Sequence, residues 1–269
     1  MNLLKGLFGK KAPPVAQAPT TPTRDVPPQP LSPHFVIGDL HGSLDLLEHM
    51  LERIDDAIGT LGLSDPKLVF VGDYIDRGPS SAGVLRRLHE LSTEFPNNVT
   101  CLLGNHEQMM LDFIDAPAAH HARWFRNGAE ATVASFAVSA PSEDLAASAD
   151  AVGRGLRQAL GGLDSWLRSL PTQTSSGNLT VVHAGIDPRR DLSDQTVRVL
   201  LWGHPEFLTH ARSDGTWIAH GHTIMAQPVF ADGRISVDTG AYQTGLLSCA
   251  MILADGTVEF LQTDLPRQV

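Results

Sequence analysis

One stretch of the sequence decides the fold: Leu68-Val69-Phe70-Val71-Gly72-Asp73-Tyr74-Ile75-Asp76-Arg77-Gly78. Its first four residues are apolar and favour β structure, so they predict a buried strand that stops at Gly72. Polar residues follow at once, and residues 80–91 are predicted to form the next helix. A buried strand that ends in polar residues and leads into a helix is typical of the carboxyl edge of an α/β sheet, where functional side chains gather.

Two neighbouring segments have the same form. An apolar run begins near His34 and stops at Gly38-Asp39, and a third run, residues 99–103, stops at Gly104-Asn105-His106. The helix predicted between the first two strands, residues 44–58, has apolar residues three or four positions apart and so has one apolar face. Three strands that alternate with helices predict an α/β sheet with polar residues along one edge.

The rest of the chain returns to strands after a long helical region. Residues 107–170 are rich in Ala and Leu and are predicted to form a helical lobe beside the sheet. Further strands are predicted at residues 179–182, 216–219, 234–237, 246–253 and 258–262. We therefore expect an α/β fold in which two packed mixed β-sheets are flanked by helices.

Composition excludes several classes of function. The formal net charge is -10, with 20 basic and 30 acidic residues, which argues against a nucleic-acid partner because phosphate contacts need clustered Lys and Arg. No stretch approaches the roughly 20 apolar residues of a membrane-spanning helix, so we expect a cytoplasmic protein without stable membrane insertion. The two cysteines, Cys101 and Cys249, lie in apolar runs and are expected to be core thiols.

The amino-terminal region differs from the rest. Residues 12–33 are dominated by Pro, Thr, Ala and Gln and have no periodicity, so residues 1–33 are predicted to be a disordered Pro-rich tail. A short anchor for a partner or a membrane surface in Leu3–Phe8 is the second interpretation of this tail, and a frayed end is the favoured one. The catalytic domain is predicted to cover residues 34–265.

Six residues of metal-ligand type recur near strand ends. Asp39 and His41 are two positions apart, so in extended backbone their side chains project to the same side and could share one ion. Taken singly, each such residue has an ordinary explanation as a turn or structural residue, but chance explains the set poorly. Mixed imidazole and oxygen ligands suit Mn, Fe or Zn better than Ca. We expect two divalent ions, with Mn favoured, held by Asp39, His41, Asp73, Asn105, His183 and His222.

Three blocks resemble the signature blocks of the phosphoprotein phosphatase family, within the calcineurin-like metallophosphoesterases: Gly38-Asp39-Leu40-His41-Gly42, Gly72 to Gly78, and Gly104-Asn105-His106-Glu107. His183-Ala184-Gly185 and Gly221-His222-Thr223 are similar to the two later histidine motifs of that family. The resemblance runs from about residue 34 to residue 261. It implies the calcineurin-like α/β sandwich and a serine/threonine protein phosphatase that uses a metal-bridging hydroxide.

The resemblance also implies roles for single residues. Asp39, His41 and Asp73 would hold the first ion with a later histidine, for which His222 is favoured, and Asp73, Asn105 and His183 would hold the second. The sequence leaves open which of the two ions His222 serves. His106 resembles the general acid that protonates the leaving group, Asp76 would orient its imidazole, and Arg77 would clamp the phosphate. The implied catalytic residues are therefore His106, Asp76 and Arg77, and the implied substrate-binding residues are Arg77, Asn105 and His106.

One departure from the pattern leaves the substrate open. The family usually has Arg directly before the Gly-Asn-His-Glu block, whereas this chain has Leu103. Leucine at this position also resembles the dinucleoside tetraphosphate hydrolases, which use the same metal core. Four arginines could supply the missing positive charge, and the sequence does not distinguish between them. They are Arg123, Arg189, Arg190 and Arg212.

The expected function is hydrolysis of phosphoserine or phosphothreonine in a phosphorylated protein or peptide, with phosphotyrosine as a further substrate. Hydrolysis of a dinucleoside tetraphosphate is the alternative. A third interpretation, an inactive scaffold that binds phosphorylated partners, is opposed by the intact ligand set, because nothing else requires so many polar residues to converge. The tail is left open as a partner contact.

Overall fold

The computed structural model describes residues 26–139 and 145–263. The first half of the described chain contains three short strands and the helices between and after them. In chain order these are β1 (His34–Ile37), α1 (Leu44–Leu61), β2 (Lys67–Phe70), α2 (Ser81–Glu94), β3 (Val99–Cys101), α3 (Asn105–Asp115), α4 (Pro117–Phe125), α5 (Ala129–Ser135), α6 (Leu145–Leu160) and α7 (Gly162–Ser169).

The second half is mainly strands. It contains β4 (Gln173–Ser176), β5 (Leu179–Val182), a 3-10 turn (Leu192–Asp194), α8 (Val197–Trp202), β6 (Trp217–His220), β7 (Val229–Ala231), β8 (Arg234–Ser236), α9 (Ala241–Thr244), β9 (Ser248–Ile252) and β10 (Val258–Gln262).

The strands form two five-stranded mixed sheets. The first has the order β10-β9-β1-β2-β3, in which β1, β2 and β3 are parallel and β9 is antiparallel to both β1 and β10. The second has the order β4-β5-β6-β8-β7, with β5, β6 and β8 parallel and an antiparallel strand at each edge. The predicted fold class, two packed mixed sheets with helices outside, is confirmed.

Strand β1 shows how the layers are built. Val36 belongs to an apolar cluster that both sheets share, together with Val181 of β5 and Ile235 of β8. Phe35 and Ile37 point to the opposite face and pack with Leu47 and the other buried residues of the helices. Because successive strand residues point to opposite faces, a run such as Phe35–Ile37, apolar and buried on both faces, fits inside such a sandwich.

In the described part of the chain, five consecutive helices follow the third strand. Helices α3 to α7 run from Asn105 to Ser169 and pack on the helical face of the first sheet through residues such as Phe113, Leu156 and Leu167. Trp124 of α4 is completely buried and is among the largest side chains of this cluster. The lobe therefore shares one core with the first sheet and places α4 next to the loop that follows β2.

Residues 26–33, here called the N-terminal strap, were placed in the predicted tail but are bonded to the second sheet. Trp217 Nε1 donates to the carbonyl of Val26 at 2.9 Å, and Asn178 Nδ2 donates to that of Pro27 at 2.9 Å. The amide of Leu31 donates to Ser176 Oγ at 3.0 Å. The structured chain thus begins before His34.

Residues 1–25, including the anchor considered at Leu3–Phe8, and residues 264–265 of the predicted domain lie outside the described residues. No described helix is both long and apolar enough to cross a bilayer.

Candidate metal centre

Loops from both sheets meet at the carboxyl ends of the parallel strands. Asp39 and His41 follow β1, Asp73 follows β2, and Asn105 opens α3 directly after β3. His183 follows β5 and His222 follows β6, so the second sheet contributes from the same edge. Parallel strands that end at one edge bring together side chains that lie up to 183 positions apart, as the bond from the His222 amide to Asp39 shows.

The Asp73 carboxylate lies at the middle of this set. Its Oδ2 is 3.7 Å from His41 Nε2 and 3.8 Å from His106 Nε2, and its Oδ1 is 3.3 Å from His183 Nε2. Asp73 belongs to two groups of possible ligands, and within each group the ligand atoms lie within 4.8 Å of one another. The first group is His41, Asp73 and His106, and the second is Asp73, His183 and His222. One carboxylate between two such groups is the arrangement expected for a bridging ligand.

The donor set fits cations, as His183 shows most clearly. Its Nδ1 donates to the Val71 carbonyl at 3.0 Å, which leaves Nε2 as an acceptor. This Nε2 faces Asn105 Oδ1 at 2.8 Å and Asp73 Oδ1 at 3.3 Å, both of which are acceptors as well. Burial lowers the pKa of His183 to about 4, so its ring is neutral near pH 7. Three lone pairs converge here, and a divalent cation satisfies them.

His41 is fixed in the same way. Its Nδ1 donates to the carbonyl of Ile75 at 2.7 Å, which directs the Nε2 lone pair toward Asp73. Burial lowers the pKa of His41 to about 3, so this ring is also neutral, the form that binds metal. A main-chain carbonyl behind each imidazole sets its tautomer and orientation before any ion arrives.

Negative charge is in excess at this edge. Asp39 and Asp238 are buried beside Asp73, and Glu107 lies directly behind it. Burial, together with the charge of Asp73, raises the pKa values of Asp39, Glu107 and Asp238. Each of these carboxyl groups disfavours ionisation of the others. Bound cations would offset this repulsion and make the ionised forms favourable. The excess of carboxylates and the converging lone pairs therefore both fit a pair of divalent ions.

Backbone strain is concentrated in these loops. His41, Asp73, Asp76, Arg77 and His222 all have φ between 41° and 72°, the left-handed region that non-glycine residues rarely adopt. Gly42 and Gly78 let two of the loops cross, since a Cβ on Gly78 would collide with the carbonyl oxygen of His41. The strain indicates that the surrounding packing, rather than local preference, holds the site in shape.

Glu107 provides much of that packing. Its carboxylate accepts from the amides of Asp73 at 2.9 Å, Tyr74 at 2.8 Å and Gly104 at 3.0 Å, with a longer bond from Ile75 at 3.3 Å. The side chain is completely buried. It therefore ties the loop after β2 to the loop after β3 and fixes the position of the central carboxylate.

Next to the ligand set is a buried acid–base pair. His106 Nδ1 lies 2.6 Å from Asp76 Oδ2, and Asp76 also accepts from Trp124 Nε1 at 2.9 Å and from Thr132 Oγ1 at 2.6 Å. Burial lowers the pKa of His106, but the charges of Asp73 and Asp76 outweigh it and raise the pKa. His106 is thus held by Asp76 in a form suited to carry a proton at Nε2.

Arg77 covers the mouth of the centre. Its guanidinium is 3.1 Å from His41 Nε2 and 3.3 Å from His106 Nε2, and it lies over the ring of Tyr242 at 4.8 Å. Tyr242 also meets His41 edge to face at 5.2 Å. The residue is exposed, so its fork of donors faces both the solvent and the ligand set.

Comparison with known proteins agrees with this geometry, since the model of the calcineurin-like phosphoesterases matches residues 33–233. The chain belongs to the calcineurin-like phosphoesterase family. It is 31% identical to a symmetrical bis(5'-nucleosyl)-tetraphosphatase of Legionella pneumophila strain Lens over 60% of this chain and 47% of that protein. The chain thus spans about half the length of the first curated relatives it matches.

Two further relatives have protein phosphatase names. The chain is 36% identical to serine/threonine-protein phosphatase 1 of Salmonella typhimurium, over 36% of this chain and 38% of the other. A protein serine/threonine phosphatase structure from Saccharomyces cerevisiae is 18% identical, with a TM-score of 0.61 over 89% of this chain and 82% of that one. The likeness to this structure shows a shared fold.

As a calcineurin-like phosphoesterase, the chain brings all the sequence-predicted site residues to one edge. Asp39, His41, Asp73, Asn105 and His183 line the centre, and His106, Asp76 and Arg77 lie beside it. The ring of His222 packs on that of His183 at 5.1 Å, which groups it with the second set of ligands, whereas the family resemblance had suggested the first. His220 is buried and bonds Ser236 Oγ at 2.8 Å.

Sequence reasoning missed several residues of this phosphoesterase site. Asp238 is the clearest, because it follows the strand Arg234–Ser236 just as Asp39 follows β1, and the same signal would have found it. Tyr242 stands in a Gly-rich stretch that gives no signal. Trp124 and Thr132, the partners of Asp76, come from the helical lobe, and only the tertiary structure brings them to it.

Proposed function

We propose that this protein is a metal-dependent phosphatase that hydrolyses phosphoserine and phosphothreonine in proteins, with phosphotyrosine as a further substrate. Asp39, His41 and Asp73 would hold one divalent ion, and Asp73, Asn105, His183 and His222 the other. Manganese is the favoured metal, with iron and zinc as alternatives. When bound, two such ions lower the pKa of a water molecule and neutralise the charge that develops on the phosphoryl oxygens.

The observation that carries the proposal is the His106–Asp76 pair, with its 2.6 Å bond and almost complete burial. The alkoxide that leaves from phosphoserine or phosphothreonine is strongly basic, so its departure needs a proton. His106 Nε2 faces the ligand set and is the group able to give that proton. Asp76 keeps Nδ1 bonded and stabilises the charged ring before the transfer.

Arg77 would bind the reacting phosphoryl group. Its guanidinium lies between His41 and His106, over the ring of Tyr242, and its planar fork matches two phosphoryl oxygens. A phosphoryl group bound by Arg77 would lie beside His106, which could then reach the leaving oxygen. Asn105, which precedes His106 in the first turn of α3, would contact the same phosphoryl group.

A second candidate is hydrolysis of a dinucleoside tetraphosphate. Leu103 favours it, and so do the names of the relatives from Legionella pneumophila. A phosphoanhydride has a much less basic leaving group than an ester of serine, so it depends less on protonation by His106. The acid–base pair is therefore the reason that we favour a phosphate ester over a dinucleoside tetraphosphate as the substrate.

One assay separates the candidates. Metal-stripped protein is given a phosphothreonine peptide, a phosphotyrosine peptide or diadenosine tetraphosphate, with and without Mn²⁺, and an Asp73→Asn variant is the control. We expect Mn²⁺-dependent phosphate release from the peptides and its loss in the variant. Cleavage of the dinucleotide alone would replace the proposal with the second candidate. No turnover of any substrate would overturn both in favour of an inactive scaffold that binds phosphoproteins.

A further inference from the structure

The metal centre has a single guanidinium within hydrogen-bond distance of its histidines among the described residues, that of Arg77. Leu103, which stands where the related phosphatases were expected to have arginine, is buried in the core with 8% exposure and offers no charge. A substrate with more than one anionic group therefore needs a second cation from elsewhere in the chain.

Three of the four arginines considered from the sequence are engaged with carboxylates. Arg189 Nε lies 2.7 Å from Glu206 Oε2, and Arg190 Nε lies 3.3 Å from Asp187 Oδ2. Arg212 pairs with Asp214 and donates to the carbonyl of Arg190 at 2.6 Å. These pairs satisfy the guanidinium groups locally.

Arg123 is placed differently. Its Cζ lies 4.3 Å from the centroid of the Trp202 ring, and no carboxylate of the described residues comes within 4.0 Å of it. Trp202 in turn meets the ring of His222 edge to face, with 6.5 Å between centroids. The indole thus holds an unpaired guanidinium beside one of the candidate metal ligands.

Helix α4 fixes this position. Trp124, the next residue, is fully buried and donates through Nε1 to Asp76, the partner of His106. The same helix that supports the acid–base pair therefore presents Arg123 to Trp202, which in turn faces His222. Arg77 on Tyr242 and Arg123 on Trp202 are two arginine–aromatic stacks, and each aromatic ring touches a histidine of a different ligand group.

We infer that Arg123 binds a second anionic group of the substrate, outside the phosphoryl group that reacts. The inference rests on the proposed function, because it takes the metal centre as the place of hydrolysis. Arg123 is exposed and stacks on Trp202, whose ring meets that of His222, so it would flank the reacting group rather than bind it. The anion is either an acidic side chain next to the phosphorylated residue or a second phosphate of a polyphosphate chain.

The test compares substrates with and without that second anion. The variant is Arg123→Ala, and the matched control is Arg126→Ala, an exposed arginine three positions further along. Substrates are p-nitrophenyl phosphate, phosphothreonine peptides with Glu or Ala as neighbours, and diadenosine tetraphosphate. We expect Arg123→Ala to lower kcat/KM, mainly through KM, by about 10- to 100-fold for the substrate that carries the anion, as for a lost charge-assisted hydrogen bond. Its rate on p-nitrophenyl phosphate should stay within about two-fold of wild type.

The substrate that shows the loss identifies the source of the anion. Trp202→Leu, which removes the ring under Arg123, should give a smaller loss on the same substrate. An equal loss on p-nitrophenyl phosphate, or no loss on any substrate, would overturn the inference.

Binding distinguishes this outcome from failure of the proposed function. In calorimetric titrations of Mn²⁺-loaded protein, pyrophosphate should bind more tightly than orthophosphate, and Arg123→Ala should reduce that preference. This result does not need turnover. If wild type turns over no substrate but keeps the preference, the catalytic proposal fails and the role of Arg123 stands. Equal preference in wild type and variant would overturn the role.

Discussion

His106 and Asp76 are joined by a 2.6 Å bond while both side chains are almost completely buried. Asp76 is bonded at the same time by Trp124 from α4 and by Thr132 from α5. The acid–base pair and its partners therefore come from four separate segments, namely the loop after β2 and helices α3, α4 and α5, and the helical lobe takes part in the site through the partners of Asp76.

Replacing His106 by Asn should slow catalysis according to the leaving group. General acid catalysis contributes about 10²- to 10⁴-fold, so we expect a loss of that order on a phosphothreonine peptide and a much smaller loss on p-nitrophenyl phosphate. The measurement is kcat on both substrates, with bound Mn²⁺ determined alongside. Equal losses on the two substrates with unchanged metal content would contradict the assignment of His106 as the acid.

Replacing Glu107 by Ala should destabilise the protein before any metal is bound. Four buried backbone amides would lose their acceptor, and each unsatisfied amide costs about 1–3 kcal/mol, although the costs are not additive. We expect a loss of about 3 kcal/mol or more in urea unfolding of metal-free protein. Glu107→Gln, which keeps one acceptor, should lie between Ala and wild type. Wild-type stability in both variants would rule out the structural role.

His34 should make stability depend on pH. Burial lowers its pKa below the ordinary value of 6.5, while its Nδ1 donates to the carbonyl of Ser32 at 2.7 Å. The unfolded chain therefore binds a proton more readily, so the stabilisation is complete above pH 6.5 and declines as the pH falls below it. The Tm of His34→Gln should fall less than that of wild type between pH 7.5 and 5.5. His210→Gln, at an exposed site, is the control and should follow wild type.

The N-terminal strap should contribute to stability and not to catalysis. Removal of residues 1–25 should change neither, whereas removal of residues 1–33 should cost about 2 kcal/mol or more, since the hydrogen bonds to Asn178, Ser176 and Trp217 are lost. Denaturant midpoints and Mn²⁺-dependent rates of the two truncations check this. Identical midpoints would show that the strap contacts do not stabilise the fold.

Strands buried on both faces could be predicted from the sequence. The strand predicted at 179–182 is observed with the same bounds, because its four residues, Leu-Thr-Val-Val, all fit a buried strand. Strand β4 was missed, since Gln173–Ser176 carries no apolar pattern and is held by pairing with β5. The strap was missed for a similar reason, because its bonds are made by backbone carbonyls and amides, which composition does not report.

The sequence indicates which residues are of ligand type, but it does not indicate how they are grouped in space. Each ligand-type residue stands at a strand end beside glycine or an apolar run, and that local signal is visible in the sequence. The grouping of His222 with His183 depends on β6 lying next to β5, which no local pattern gives. The choice of Arg123 among four arginines likewise required the ion pairs of the other three.

The strap also sets the direction in which the enzyme faces. The carbonyl of Val26 is bonded to Trp217 at the start of β6, while His222 follows the end of that strand. Val26 therefore lies at the end of β6 opposite to the candidate metal centre. An attachment made at Val26 would leave the metal centre on the free side of the domain, where a substrate approaches it without passing the point of attachment.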